Sequence, residues 1–221
     1  MLINADFTQR IVVRAADGGW VPSPVTGVDR LMLDRVGGEV ARATSLVRYA
    51  PGMRFPEHTH GGGEEFLVLE GSFHDAMGDY PVGAYVRNPI GSAHAPWAGP
   101  DGALLFVKLR QFAEEDGARV AIDTAEASYY QGMVPGLTVL PLHQHGTESA
   151  ALVRWAPNTR FNPHRHWGGE EILVLEGLFE DEHGAYPKGT WLRSPHLSGH
   201  TPFTGADGAL IYVKTGHLPP S

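Results

Sequence analysis

The feature that most constrains this chain is an internal repeat. LVRYAPGMRFPEHTHGGGEEFLVLEG (46–71) aligns without gaps with LVRWAPNTRFNPHRHWGGEEILVLEG (152–177), an offset of 106 residues. The match continues through FHDAMGDYPVGAYVRNP (73–89) with FEDEHGAYPKGTWLRSP (179–195), and GPDGALLFVK (99–108) with GADGALIYVK (205–214). More than half of the positions from Leu46 to Lys108 are identical to their partners. Such self-similarity marks two copies of one unit of roughly 100 residues rather than one irregular domain. The expected division is 1–115 and 116–221. AEEDGARVAIDTAEASYY (113–130) is charged and weakly periodic, and reads as a connector with room for a short helix.

Each unit reads as β-rich. SLVRYA, FLVLEG, YVRNP and ALLFVKL are short runs of branched and aromatic residues, punctuated by APG, MGDYPVG and GPDG. The 28 glycines and 17 prolines suit many tight turns, and no segment carries a capped helical stripe. Short strands at regular spacing predict an all-β sandwich or small barrel, and a barrel also removes exposed strand edges.

Composition excludes several function classes. With no cysteine there can be no disulfide, thiolate-metal site or thiol redox sensor. A net charge of -8 argues against nucleic acid as a partner, which needs a basic patch. No apolar run approaches the roughly 18 residues of a membrane span, so a membrane partner is not expected. MLINADFTQR at the start has no basic region followed by an apolar one, so the expectation is a cytoplasmic protein.

Six of the 12 histidines repeat between the copies: His58, His60 and His94, and His164, His166 and His200. The copies diverge elsewhere but keep a His-x-His and a third histidine 34 residues later. On a strand, His-x-His puts both imidazoles on one face, and a third can return from a neighbouring strand. Three neutral nitrogens plus a carboxylate suit Fe, Mn, Ni, Cu or Zn better than Ca or Mg. A lone strand histidine reads better as a turn cap, but a triplet repeated at identical spacing reads as a ligand set. His143 and His145 form another His-x-His, but it has no counterpart in the first copy and no glutamate at the right distance. A solvated loop is the better reading there.

These residues resemble the cupin superfamily, whose first motif is G-x5-H-x-H-x3–4-E-x6-G. Gly52, His58, His60, Glu64 and Gly71 satisfy it. Gly83, Pro89, Gly91 and His94 meet the second motif, with Ala98 where an Asn is usual. In the second copy His164, His166, Glu170, Gly177, Gly189, Pro195 and His200 match, and the departures are Asn158 and Leu197, where the first copy has Gly52 and Gly91. Strand parity does not choose between Glu64 and Glu65, because both faces of the following strand are apolar. The motif spacing selects Glu64 and Glu170, leaving Glu65 and Glu171 facing away. The phrases VRYAPG, FPEHTHGGGEEFLVLEG and P-x-G-S-x-H are most similar to the ChrR-type cupins, where this domain is the C-terminal half of a zinc-binding anti-sigma factor.

The resemblance implies a bicupin, two tandem jelly-roll barrels of six to eight strands, with one divalent transition metal (Zn, Fe, Mn or Ni) per barrel. The implied ligands are His58, His60, Glu64 and His94, then His164, His166, Glu170 and His200. It also implies a small-molecule ligand in the barrel, and leaves both a monomer and a homodimer open. The anti-sigma activity is not carried over, because its Cys/His domain has no counterpart among the first 45 residues. Three readings follow. The first is a dioxygenase-type enzyme on a small diketone or hydroxyketone, using the two positions that four donors leave open on an octahedral metal. The second is a non-catalytic zinc sensor, a closed tetrahedral site with the same four ligands. The third is a metal-dependent sugar or acid isomerase or decarboxylase. Aromatics expected in the core or lining a pocket are Phe55, Phe66, Tyr85, Trp97 and Phe106, and Phe161, Trp191, Phe203 and Tyr212. The repeated pairs Arg54/Arg160 and Arg87/Arg193 could hold a carboxylate, or pair with an acid such as Asp75 or Asp181.

Overall fold

The computed structural model describes residues 1–219. Among them the structure is built of β-strands, and the one helical element is a 3-10 turn at Ala15–Asp17. The chain forms two compact units, each of jelly-roll-type antiparallel β architecture. The first contains Met1–Ala5 and Gly18–Ala127; the second contains Asp6–Asp17 and the chain from Ser128 onward.

In the first unit one sheet runs Leu2–Ile3, Val28–Gly37, Ala41–Tyr49, Trp97–Leu109, Glu64–Asp75, Ala84–Asn88 and Val120–Asp123 in spatial order. All of its pairings along that path are antiparallel. A separate two-stranded ladder pairs His58–Thr59 with Ala93–His94. The second unit follows the same order from its second strand on: Tyr130–Gln131, which pairs as Val21–Pro22 does in the first unit, then Leu137–His145, Glu148–Trp155, Ala209–Thr215, Glu170–Asp181, Thr190–Ser194 and Ile11–Arg14. Its small ladder pairs His164–Arg165 with Gly199–His200.

Period-two alternation on these strands builds the cores. Phe66 and Val68 point one way and pack with Phe73, Tyr80, Val86 and Leu105. Ile172 and Val174 do the same with Phe179, Tyr186, Leu192 and Ile211. A buried side chain of this size contributes about 1.5–3 kcal/mol relative to exposure. The glycine closing the first motif is required by backbone proximity. A Cβ on Gly71 would lie 2.0 Å from the Gly102 carbonyl oxygen, and one on Gly177 would lie 2.2 Å from that of Gly208.

Two expectations are corrected. The 113–130 stretch contains no helix; Val120–Asp123 is a strand paired with Ala84–Asn88, and this stretch belongs mostly to the first unit. Reciprocally, Ile11–Arg14 pairs with Thr190–Ser194 of the second unit. The short arm preceding each repeat thus belongs to the compact unit built by the other repeat. His143 and His145 lie not in a loop but at the end of the strand Leu137–His145, after an irregularity between Pro141 and His143.

Candidate metal centres

The small ladder places the first two ligand candidates face to face, since His58 is the register partner of His94. His60 follows two residues on, with its N–H donating to the Ser92 carbonyl at 2.8 Å. The Gly61–Gly63 turn then leads into the strand that opens with Glu64. One ligating atom from each of His58, His60, Glu64 and His94 lies within 4.8 Å of all the others. His164, His166, Glu170 and His200 form the same cluster in the second unit. His58 and His164 are half-buried; the other six side chains are buried or nearly so.

The outer ring nitrogens fix the tautomers. His58 Nδ1–H donates to the Pro56 carbonyl at 2.9 Å, and His164 Nδ1–H to the Asn162 carbonyl at 2.9 Å. A carbonyl only accepts, so each Nδ1 carries the proton and each Nε2 presents its lone pair inward. His94 Nδ1–H donates to Asp75 at 2.9 Å, and His200 Nδ1–H to Asp181 at 3.3 Å. Inside, Glu64 Oε2 is 3.3 Å from His60 Nε2 and 3.5 Å from His94 Nε2. Glu170 Oε2 is 3.5 Å from His166 Nε2 and 3.6 Å from His200 Nε2. The buried Nε2 atoms of His94, His166 and His200 have no hydrogen-bond partner among the described residues. Orphaned inward nitrogens are costly unless something else fills their lone pairs. Donors each about 2.1 Å from one ion would be about 3.0 Å apart at a right angle and about 3.4 Å apart at the tetrahedral angle, so these residues fit a divalent transition metal.

Electrostatics favour neutral imidazoles. Burial holds His60 and His164 below the usual histidine value and pushes His166 down to about 3. Burial raises the Glu170 carboxyl to about 7. His200 goes the other way: burial opposes its charge, but the bond to Asp181 and the nearby Glu170 raise it overall.

The adjacent glutamates face away. Glu65 accepts from Arg87 at 2.7 Å, while Glu171 accepts from Trp191 Nε1 at 2.8 Å and lies 3.0 Å from His217 Nε2. A family model described as the ChrR cupin-like domain matches residues 8–113 and again 117–219. The chain belongs to this family. Each match begins on one of the exchanged arms and covers one cupin copy.

Solved structures of similar fold support the same architecture. A candidate dioxygenase from Nostoc punctiforme superposes with a TM-score of 0.78 at 16% identity, over 94% of this chain and 82% of that one. A candidate glyoxylate-induced protein from Pseudomonas aeruginosa gives 0.74 at 14%, over 93% and 88%. The Lactobacillus farciminis oxalate decarboxylase formate complex gives 0.65 at 14%, over 95% and 87%. Identities this low speak for the fold alone. No curated protein matches the sequence significantly. Among the described residues no helix is long and apolar enough to cross a membrane.

Both cupin units carry a hydrogen-bonded chain behind the third histidine, which the sequence did not reveal. Asp75 also accepts from the Tyr80 hydroxyl at 3.0 Å, and Arg119 donates to the Tyr80 oxygen at 2.8 Å. Asp181 accepts from Tyr186 at 2.7 Å, and Arg10 donates to Tyr186 at 2.5 Å and to Asp181 at 3.2 Å. Arg119 and Arg10 each stand just before an exchanged strand. Burial works to raise Asp181, but bonds from His200, Tyr186 and the His183 N–H outweigh it and hold the carboxyl at about 2. Burial and the neighbouring aspartate push Tyr80 and Tyr186 up to about 12, so both hydroxyls remain donors. Such partners orient a ligating imidazole and raise its basicity.

The repeated arginines do not converge on the clusters. Arg54 stacks over Trp97 and Arg160 over Phe203, each 5.1 Å from the ring centre. Arg87 is buried between Glu65 and Asp116, and Arg193 donates to the Asp6 carbonyl beside the Phe7 ring. Of the aromatic candidates, Phe55 and Phe161 line the cavities at the clusters and Phe66 sits in the core. Those cavities differ. The first, about 260 Å³, includes Tyr49, Arg30, Glu39 and Arg110. The second, about 180 Å³, is walled by Leu137, Val139, Val153, Trp155 and Ile211 among others.

Proposed function

We propose that this bicupin is a metal-dependent enzyme of the dioxygenase type, acting on a small diketone- or hydroxyketone-like molecule held in the barrel. His58, His60, Glu64 and His94 would hold one divalent transition metal, and His164, His166, Glu170 and His200 a second. The observation that carries this reading is the convergence of inward Nε2 atoms on one carboxylate in both copies at a cavity, with those of His94, His166 and His200 orphaned. A redox-active metal there would supply Lewis acidity and electron transfer to a chelated substrate and dioxygen, through positions the four protein donors leave open.

The protein's own part is orientation and exclusion. Outward Nδ1–H bonds keep His58, His94, His164 and His200 in the tautomer that presents Nε2, and the Asp75 and Asp181 carboxylates hold the third ring. Phe55 and Phe161 wall the cavities beside His58 and His164, with ring centres 5.0 Å away in each case. Apolar walls keep bulk water from the donors and favour an organic ligand with a few convergent polar atoms. Similarity to a candidate dioxygenase supports the class only as fold analogy.

Protein stripped of metal and reloaded anaerobically with Fe(II) is expected to take up two equivalents. It should then consume O2 with a member of a β-diketone and hydroxyacetophenone panel. Replacing His60→Ala together with His166→Ala should abolish uptake; turnover that survives in the double variant would sink the reading. A zinc sensor would stay silent with every substrate.

A further inference from the structure

We propose that Arg110 makes the first centre a site for a carboxylate-bearing substrate, a small keto or hydroxy acid, while the second centre takes an uncharged one. This rests on the metal-centre reading above and refines its substrate class. Arg110 has φ +58°, in the left-handed region, and its N–H donates to the Gly63 carbonyl at 2.9 Å. The equivalent residue of the second copy is Gly216, at φ +75°, whose N–H donates to the Gly169 carbonyl at 3.2 Å. Glycine takes this conformation without steric cost and arginine does not. The first copy thus carries a strained arginine where the fold asks for glycine, and local strain of this kind concentrates at functional sites.

A second difference matches the first. A Cβ on Gly61 would lie 2.8 Å from Arg110 Nη1, so glycine leaves room for the guanidinium beside the residue that follows His60. The second copy has Trp167 there, exposed, with its ring edge-on to His196 at 4.7 Å. The first copy thus combines Gly61 with Arg110, where the second has Trp167 and Gly216.

Charge completes the case. Arg110 lines the same cavity as all four ligand candidates of the first unit. The other cation lining it, Arg30, is matched by Glu39 at 3.2 Å, whereas Arg110 makes no ion pair among the described residues. In the second unit Val139 replaces Arg30 and Trp155 replaces Tyr49, and no Lys or Arg lines the cavity. A divalent ion held by three neutral imidazoles and one carboxylate retains one positive charge. A guanidinium added at the mouth favours an anion and can grip its carboxylate.

The test uses the two-unit protein loaded with redox-silent Zn(II), with metal content measured first. Calorimetric titration compares pyruvate with its neutral isostere pyruvamide. Pyruvate is expected to bind one equivalent per chain at least tenfold more tightly than pyruvamide, with a preference that shrinks as salt is added. Arg110→Gly should erase the preference while keeping both metals and melting no lower than the parent; Arg110→Lys should retain part of it. Equal affinities, no binding of pyruvate, two equivalents of pyruvate, or a preference that survives Arg110→Gly would each overturn the proposal. Wild-type protein that takes up no metal would remove the underlying metal reading, and this one with it.

Discussion

Leu197 occupies a position where its own side chain is a liability. Its φ is +62°, while Gly91, its counterpart in the first copy, has +84°. Asn158 likewise stands at +56° where Gly52 has +64°. The second copy keeps both left-handed turns without the motif glycines, so the ligand-bearing loops hold their course. Asn tolerates this region well; a γ-branched leucine does not. Leu197 is 45% exposed, so removing its side chain leaves no cavity. The left-handed penalty is about 1–2 kcal/mol, and glycine's greater freedom in the unfolded chain takes back about 0.5–1 kcal/mol. Leu197→Gly is therefore expected to stabilise metal-free protein by roughly 0.5–1 kcal/mol, read as a higher urea midpoint at unchanged slope. A lower midpoint would show that Leu197 makes a contact worth more than the strain.

At the scale of elements, the exchanged arms are the main departure from a simple tandem. Val120–Asp123 supplies the edge strand beside Ala84–Asn88, and Asp116 accepts from the buried Arg87 at 2.5 Å. A fragment ending at residue 115 lacks both, whereas one ending at 127 keeps both. A charge-assisted hydrogen bond contributes about 1.5–3 kcal/mol, before the lost strand ladder is counted. Fragment 1–127 is thus expected to be at least about 2 kcal/mol more stable than 1–115 by denaturant unfolding. Equal midpoints would mean that the arm is dispensable.

The ligand clusters were legible because both copies preserve them at one spacing while their surroundings change. The choice of Glu64 over Glu65 came from motif spacing; the structure places Glu65 on Arg87, a use of the repeated arginine that spacing alone did not favour. The arms were not legible. Arg10–Arg14 and Arg119–Asp123 stand 109 residues apart, not 106, because the two copies differ between the arm and Leu46. Four-residue strands carry too little pattern to be found off the main register. The strand containing His143 was hidden by Pro141 and the irregularity behind it, which break the period of two. Arg110 is not legible from the repeat, which exposes what the copies share, because its signal lies in what they do not.

At the scale of the whole molecule, the chain carries two like donor sets in unlike surroundings, and pH should separate protonation from metal binding. In the second cluster the Glu170 carboxyl is raised to about 7, above the usual unfolded value of about 4.3. Folded metal-free protein then holds a proton that the unfolded chain has released, so this group's contribution to apo stability falls as pH rises from about 4.3 to about 7. His166 acts oppositely. Its folded value is about 3, so its contribution is present above the unfolded value of about 6.5 and is lost as pH falls towards 3. Between about pH 4.5 and 6.5 the two oppose each other, so their contributions to metal-free stability nearly cancel. Metal binding changes the balance, because Glu170 must give up its proton to ligate, and His200, also raised, must do the same. Below pH 7 the second centre should lose affinity by at least about tenfold per unit. At saturating free zinc each tenfold is about 1.4 kcal/mol of added stability. In a His60→Ala variant, which isolates the second centre, the zinc-induced rise in melting temperature should therefore grow steadily from pH 5 to pH 7 and level off above it. A rise of the same size at every pH would mean that Glu170 is already ionised in the folded apo protein, or is not a ligand.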